Sequence, residues 1–280
     1  MPLEDDFCDI IKKARIGQRL SVGDVARMAG VPSGNITALE RGVCQPDRRE
    51  VQALAKVLGL RSGPLEQVAI EKWEPAVQRP LAWVERIQGL ISGYGVQGYV
   101  VHDGGEAVLI DTAYNAPAMI EFLAGRQLRL VGICLTHGHA DHADGIDQIL
   151  KLREAPVYLG TEDVDLLSWR PPTAQMKAPE QGQTITVGRL RLECLATPGH
   201  TSGGICYRVE TEKEPVCFVG DTLFAGSIGR SNPSTLYQTH LGSVGTQILA
   251  LSPEYRLLPG HGPATTVHEE LAHNPFASVR

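Results

Sequence analysis

The stretch LTHGHADH, residues 135–142, places the strongest constraint on how this chain folds, because it gathers three histidines and an aspartate within six positions. It follows the apolar run VGIC. Its last two residues, Asp141 and His142, also begin the stretch DHADGIDQIL, whose apolar residues have the spacing of a helix. His137 and His139 project alike from an extended chain, which suits one metal ion. Asp141 and His142 are consecutive at the turn into the helix, point elsewhere and suit a second ion. Since buried imidazoles without partners cost free energy, the stretch predicts a metal site at a strand end.

Further candidate ligands follow other apolar runs along the chain. LATPGHTSGG places His200 after LRLECLA, CFVGDTLF places Asp221 after VCFV, and YRLLPGHGP places His261 after RLL. Taken singly, each motif is also typical of a turn, since Pro-Gly and Gly-Asp are common turn pairs. Because ligands collect in loops at strand ends, the motifs together predict one site.

The apolar pattern after residue 85 predicts a sheet protein with flanking helices. Short runs such as QGYVV, AVLID, GICLT and VCFVG have the length of buried strands. NAPAMIEFLAG and DHADGIDQILKLR, which lie between such runs, have helical spacing. Strands followed by alternating strands and helices predict an α/β fold with two β layers between helices.

The first 72 residues have a different pattern, a series of short amphipathic helices. Helical spacing of apolar residues marks the first and last of them, at Phe7, Ile10, Ile11 and Ala14, and at Val51, Leu54, Ala55 and Leu58. We expect Ser21 and Ser33 to cap the two helices between them and Asp47 to cap the last. Gly30 and Gly59 are expected to end helices. This order is that of a helix-turn-helix module.

The stretch LSVGDVARMAGVPSGNITALERGVCQPD resembles the phage-repressor (Cro-like) helix-turn-helix family. The resemblance lies chiefly in Val25-Ala26, Gly30-Val31, Ile36 and Glu40-Arg41-Gly42. It implies a DNA-binding helix that offers base contacts from Ser33, Gly34, Asn35 and Thr37, with Arg19, Arg27, Lys12 and Lys13 as candidate phosphate contacts. It also implies a homodimer, since such DNA readers usually pair. The open alternative is a module for dimerisation or protein docking.

The candidate ligands follow the motif series of the metallo-β-lactamase superfamily, which most of residues 85–280 resemble. The resemblance implies an αββα sandwich with two divalent metal ions at one edge between the sheets. By it, His137, His139 and His200 hold the first metal, Asp141, His142 and His261 hold the second, and Asp221 bridges both. Zinc is the expected metal, with iron and manganese as alternatives. The implied activity is metal-dependent hydrolysis, with Asp141 and Asp221 as candidate catalytic residues.

Within that superfamily, GDTLFAGSIGRSNP, LPGHGP and Asn274-Pro275-Phe276 resemble the glyoxalase II (hydroxyacylglutathione hydrolase) branch, whose substrates are thioesters. We therefore expect hydrolysis of a thioester or related ester. Arg230 is a candidate for binding a substrate carboxylate, with a structural ion pair as the alternative. Tyr94 and Tyr237 are candidate pocket residues, with packing as the alternative. The chain has Ser231-Asn232 where the branch commonly has Thr-Asp, and only 19 residues follow His261, too few for the helical extension that shapes the glutathione site in the longer enzymes of the branch. The resemblance therefore does not extend to glutathione specificity.

Three other functions remain as alternatives. Persulfide dioxygenases resemble this chain and use a single iron, which His137, His200 and Asp221 would hold. Their closing motif usually differs from LPGHGP, so this alternative ranks second. A lactonase of the same fold follows. The last is a transcription regulator whose second domain senses a metabolite.

Composition sets the remaining expectations. Hydrophobic residues make up 42% and charged residues 21% of the chain, which excludes general disorder. The net charge of -6 argues against uniform coating of nucleic acid. Six cysteines without a close-spaced pair predict reduced core thiols. We find neither a targeting pattern nor a membrane-length apolar run and expect a cytoplasmic protein that does not bind membranes.

The expected domain boundary lies in WEPAVQRPLAW, where Pro75 and Pro80 interrupt any helix. We predict a helix-turn-helix domain at residues 1–72, a linker at 73–84 and a metallohydrolase domain at 85–280.

Overall fold

A computed structural model of the protein describes residues 1–277. Its N-terminal region contains α1 (Phe7–Gly17), α2 (Val22–Ala29), α3 (Ser33–Glu40), α4 (Arg48–Leu58) and α5 (Ser62–Glu66), followed by the π-helix Gln67–Glu71. Ser21 and Asp47 cap α2 and α4 as predicted. Gly30 and Gly59 end these helices in the left-handed conformation, with φ of +67° and +65°. The predicted Ser33 cap is wrong, because the extended Pro32 is the N-cap and Ser33 is already helical.

The rest of the described chain forms two six-stranded sheets with helices between their strands. The first sheet has the order β1 (Val84–Ile91), β2 (Tyr94–Asp103), β3 (Glu106–Ile110), β4 (Arg129–Cys134), β5 (Val157–Tyr158) and β6 (Met176–Lys177). The second contains β7 (Thr184–Val187), β8 (Leu190–Ala196), β9 (Ile205–Val209), β10 (Val216–Gly220), β11 (Arg256–Pro259) and β12 (Thr265–Thr266). The accompanying helices are α6 (Ala116–Gly125), α7 (Ala140–Ala143), α8 (Ile146–Leu152), α9 (Tyr237–Ser243) and α10 (Val267–His273).

Three clusters of buried side chains define the layers. The inner faces of the sheets pack on each other through residues such as Tyr99, Tyr207 and Phe218. Helices α6 and α8 cover the outer face of the first sheet. The outer face of the second sheet shares one cluster with α9, α10 and the N-terminal helices. The αββα sandwich is thereby confirmed, and the helix-turn-helix region belongs to one of its outer layers.

The helix after the histidine stretch differs from the prediction. DHADGIDQILKLR forms two short helices, α7 and α8, instead of one. The Thr112 amide and hydroxyl donate to the carbonyls of His142 (2.8 Å) and Asp144 (2.7 Å), so the chain turns away after α7. Gly145 then adopts a φ of +95°, and a Cβ there would lie 2.7 Å from the Ala116 side chain. This turn brings His142 toward the sheet edge.

The prediction that the cysteines are reduced core thiols is confirmed only in part. Four of the cysteines are buried and unpaired as predicted, but Cys44 is exposed and Cys8 only half-buried. The core prediction is therefore wrong for these two.

Within residues 1–277 no helix is long and apolar enough to cross a membrane. Residues 72–83 contain neither helix nor strand, although the exact domain boundaries stay predictions.

Candidate metal centre

The ends of four strands carry the candidate ligands to one edge of the sandwich. His137 follows β4, His200 follows β8, Asp221 follows β10 and His261 follows β11. Between β10 and β11 the chains pass so closely that a Cβ on Gly260 would lie 2.6 Å from Asp221 Oδ1. Glycine is therefore required there for the ligands to meet.

The structure brings all seven predicted ligand side chains together. His200 Nε2 lies 3.0 Å from His139 Nδ1, and His142 Nε2 lies 3.3 Å from His261 Nε2. Asp221 connects the two pairs, with Oδ1 3.3 Å from His142 Nε2 and Oδ2 3.7 Å from His200 Nε2. Their possible ligand atoms form three groups within 4.8 Å, namely His137, His139 and His200; His137, Asp141 and His142; and His142, Asp221 and His261.

Two buried atoms indicate that these residues fit metal ions. His137 Nε2 and Asp221 Oδ1 have no hydrogen-bond partner in the described part of the chain. An unpaired buried polar atom costs free energy, whereas a cation satisfies both an imidazole nitrogen and a carboxylate oxygen. The clusters are consistent with a dinuclear metal site whose donors are nitrogen and oxygen atoms, which suit zinc, iron and manganese.

Hydrogen bonds behind the ligands fix the orientation of their rings. His142 Nδ1 pairs with Asp111 Oδ2 at 2.8 Å, and Asp111 also accepts from the Thr136 amide (2.7 Å) and hydroxyl (2.8 Å). His200 Nδ1 bonds the Arg230 carbonyl at 2.8 Å. His261 bonds the Gly95 carbonyl in the same way at 2.7 Å. Each ring therefore turns its Nε2 toward the centre.

Asp163 holds the segment around Gly138 against the segment around Thr201. Its carboxylate, completely buried, accepts from the Gly138 amide at 3.1 Å, between His137 and His139. It also accepts from the Thr201 hydroxyl (2.7 Å) and the Gly203 amide (2.8 Å), next to His200. One side chain thus sets the distance between the histidines of the first group.

The charges of the site are distributed unevenly. Burial lowers the pKa of His200 to about 3 and the pKa of His137 well below its usual range, so both rings are neutral, as ligands must be. Burial also lowers the pKa of His142 and of His261. The neighbouring acids together outweigh it and raise both pKa values, Asp221 with Asp111 at His142 and Asp221 with Asp141 at His261, for His261 to about 9. Burial raises the pKa of the Asp221 carboxyl, but His261 and His142 hold it well below its usual range. A cation therefore competes with protons on these two rings.

The candidate substrate residues occupy different places. Arg230 has an exposed side chain and bonds His200 through its carbonyl, and Tyr94, 70% exposed, precedes the Gly95 carbonyl that holds His261. Both stay candidates. Tyr237 is only 4% exposed, and a Cβ on Gly17 would lie 2.3 Å from its ring. The ring is covered by α1, so the structure assigns Tyr237 to packing between the two regions.

The candidate DNA contacts lie mostly on the surface. Ser33, Asn35 and Thr37 are exposed along α3, and Arg19 and Arg27 are exposed near α2. Lys12 is exposed as well. Lys13 is not a phosphate contact, because its ammonium bonds Asp5 at 2.5 Å and the Ile228 carbonyl at 3.0 Å inside the protein.

Comparisons with known proteins agree with this geometry. Residues 92–261 match the metallo-beta-lactamase superfamily model and residues 11–65 a helix-turn-helix model. Hydroxyacylglutathione hydrolase GloC of Haemophilus influenzae is 32% identical over 193 residues, 64% of this chain and 90% of that one. The probable polyketide biosynthesis zinc-dependent hydrolase PksB of Bacillus subtilis is 27% identical over 203 residues, 70% of this chain and 88% of that one. The crystal structure of TTHA1623 in a di-iron-bound form has a TM-score of 0.58 at 28% identity, covering 68% of this chain and 99% of its own.

The superfamily match spans more than half of the chain and contains all seven candidate ligands. Similar proteins are named as binding zinc or iron, in agreement with the donor set. The fold, the ligand order and the family match thus lead to one conclusion. The chain belongs to the metallo-beta-lactamase superfamily and carries a helix-turn-helix region ahead of its hydrolase fold.

Proposed function

We propose that this protein is a dinuclear zinc-dependent hydrolase of a thioester or related ester. The observation that supports it is the position of Asp221 between two groups of ligands, with one oxygen near His142 and the other near His200. The similarity to GloC and the phrase GDTLFAGSIGR favour a thioester among the esters.

The side chains of the site have separate tasks in such a reaction. When bound, two divalent cations lower the pKa of a shared water and polarise the scissile carbonyl. Asp221 is placed to accept a hydrogen bond from the attacking water and orient it. Asp141, with a side chain 24% exposed, lies 3.3 Å from His261 Nε2 and is accessible for the released proton. The exposed Arg230 offers a guanidinium to a carboxylate of the acyl group.

Metal content and hydrolysis test this proposal on the full chain, purified without chelators or a histidine tag. We expect two metals per chain and turnover of hydroxyacyl thioesters. Asp221→Ala should abolish turnover and lower the metal content, whereas the matched Asp165→Ala, on an 87% exposed side chain, should change neither. Full activity of Asp221→Ala with unchanged metal content would refute the bridging role.

The persulfide dioxygenase alternative predicts a different outcome. A single iron held by His137, His200 and Asp221 leaves Asp141 outside the ligand set. Asp141→Ala should therefore lower metal content in the dinuclear protein and leave it unchanged in a mononuclear one. One iron per chain with oxygen consumption on a persulfide would replace the hydrolase proposal. Parallel assays on lactones distinguish a lactonase from a thioesterase.

We also propose that the N-terminal region binds DNA, because Ser33, Asn35 and Thr37 present an exposed row on α3. In a mobility-shift assay at about 50 mM salt, the protein should bind some genomic fragments, and this binding should weaken as the salt concentration rises. Asn35→Ala should weaken retention, whereas Gln52→Ala, on an exposed position of α4, should not. If no fragment shifts, dimerisation and protein docking are the remaining roles of this region, and sedimentation measures whether the protein dimerises. A shift that depends on metal or substrate would support the metabolite-sensing regulator.

A further inference from the structure

The N-terminal helices make polar contacts with the segment Asp221–Arg230, which we call the ligand loop. The loop begins with the metal ligand Asp221 and ends with Arg230, whose carbonyl orients His200. All its residues except Arg230 are buried. Its position therefore affects ligands of both metal groups.

Lys13 of α1 contacts the ligand loop in two ways and also pairs with Asp5. Its ammonium donates to the Ile228 carbonyl at 3.0 Å and to Asp5 Oδ2 at 2.5 Å. It also lies 5.0 Å from the centre of the Phe224 ring, a cation–π geometry. Phe224 in turn meets the His261 ring edge-on, with centroids 5.9 Å apart. One lysine of the helix-turn-helix region is thus a single side chain away from a metal ligand.

Asp5 completes the connection from the residues before α1. Its Oδ2 accepts from the Ser227 hydroxyl at 2.5 Å as well as from Lys13. The side chains of Asp5 and Lys13 are only 6% and 15% exposed. Buried charges at this depth are maintained only when paired, so the pair and the loop constrain each other.

The π-helix and the residues after it hold the same loop from another side. A Cβ on Gly226 would lie 3.1 Å from the Trp73 ring and 3.6 Å from Val68. The Gly226 amide donates to the buried Glu270 carboxylate of α10. The backbone at Gly226 is therefore enclosed, and Asp5 and Lys13 fix the next two residues.

We propose that Asp5 and Lys13 are positioning residues of the metal centre, acting through the ligand loop. This inference deepens the proposed function by adding residues of the helix-turn-helix region to the hydrolase site. Neither side chain touches substrate. They hold Ser227 and Ile228, and thereby set where Asp221 and the Arg230 carbonyl lie relative to His200.

The test uses the full-length double variant Asp5→Leu/Lys13→Met, which removes both bonds to the loop without leaving an unpaired buried charge. Ser227→Ala is the milder second variant, since it removes only the hydroxyl that Asp5 accepts. Lys12→Met, on the exposed neighbour of Lys13, is the matched control. Cobalt(II) affinity by chelator competition and the visible spectrum of the cobalt protein are measured without substrate.

Residues that hydrogen-bond a metal ligand typically contribute about 10–100-fold to metal affinity, and Asp5 and Lys13 are one contact further from the metal than such residues. We therefore expect about tenfold weaker cobalt binding and a changed spectrum in the double variant, and a smaller change of the same sign in Ser227→Ala. Lys12→Met should match the wild type. Wild-type affinity and spectrum in both test variants would overturn the proposal, even where their melting temperature falls. Because these measurements need no substrate, a wrong acyl substrate leaves their outcome unchanged.

Discussion

Replacement of Asp111 by Asn tests whether hydrogen bonds behind the ligands control metal binding. Asp111, 2% exposed, accepts from His142 Nδ1 at 2.8 Å, which keeps Nε2 of that ring free as a metal ligand. The amide group of Asn can still accept from the Thr136 backbone. Its NH2 group, however, takes the place of Oδ2 and faces both His142 Nδ1 and the Thr136 hydroxyl. A donor opposite Nδ1 favours the tautomer with the proton on Nε2, which cannot bind a metal.

The expected magnitude follows from the single ring that is affected. Loss of a carboxylate partner of a metal-binding histidine typically weakens metal affinity by about 10–100-fold, or about 1.4–2.7 kcal/mol. His142 belongs to the group of ligands that contains Asp221 and His261. We therefore expect one metal of the two to bind more weakly, while the group of His137, His139 and His200 retains its own.

Stepwise chelator competition with zinc or cobalt measures both affinities separately. Asp165→Asn makes the same chemical change on an 87% exposed side chain and should bind both metals as the wild type does. If Asp111→Asn also binds both with unchanged affinity, the reasoning from ring orientation is refuted. Equal weakening of both metals would show instead that the loss spreads through Thr136 to His137, whose Nδ1 lies 3.0 Å from the Thr136 hydroxyl.

Three further predictions concern close approaches and a buried acid. Gly260→Ala should weaken metal binding by about tenfold or more, measured by chelator competition, because its Cβ would displace metal-site side chains. Gly17→Ala should lower the free energy of unfolding by about 1–3 kcal/mol through its clash with Tyr237, whereas Gly23→Ala, with no contact closer than 3.7 Å, should raise it by about 0.5 kcal/mol. Urea unfolding measures both, and equal effects would contradict the packing argument. Burial raises the pKa of the Glu270 carboxyl from an ordinary 4.5 to about 7. The contribution of the protonated Glu270 to the free energy of unfolding is therefore fully present below a pH of about 4.5 and is lost as the pH rises through about 7. Glu270→Gln should abolish this loss of stability, which is about 3 kcal/mol at most. Urea unfolding at about pH 5 and pH 8 measures it, and a loss as large in Glu270→Gln as in the wild type would show that Glu270 is not its source.

Four of the seven ligands, His137, His200, Asp221 and His261, were predictable because each follows an apolar run within a few residues. The strands bring such residues to one edge, and the superfamily resemblance then assigned the ligand sets. Asp111 carries the same signal, since it follows AVLI, and was missed because no second motif residue accompanies it. Asp163 has no such signal. It lies in the 3-10 helix Thr161–Leu166, and only the tertiary structure brings it to Gly138, Thr201 and Gly203, beside the ligand histidines.

The outcomes at Tyr237 and Lys13 have a common cause. Tyr237 was a candidate pocket residue, with packing as the alternative, and Lys13 was a candidate phosphate contact on the DNA-binding module. Their partners lie in the other region of the chain, since Lys13 bonds a carbonyl 215 positions away. No local pattern encodes such a contact. The α2 and α4 caps, in contrast, depend on residues three positions apart and were predicted correctly.

The shared layer also limits how the two regions can influence each other. Arg15 of α1 pairs with Glu40 of α3 through two hydrogen bonds, and Lys13 on the same helix reaches the ligand loop. Helix α1 therefore forms a path between the ligand loop and α3, the helix with the exposed Asn35, with polar contacts at both ends of that path. If metal occupancy changes DNA affinity by some factor, DNA must change metal affinity by the same factor. Two titrations, of DNA at fixed metal and of metal at fixed DNA, measure that factor independently. Equal factors above one would identify coupling, whereas factors of one would mean that the path holds the fold together without transmitting occupancy.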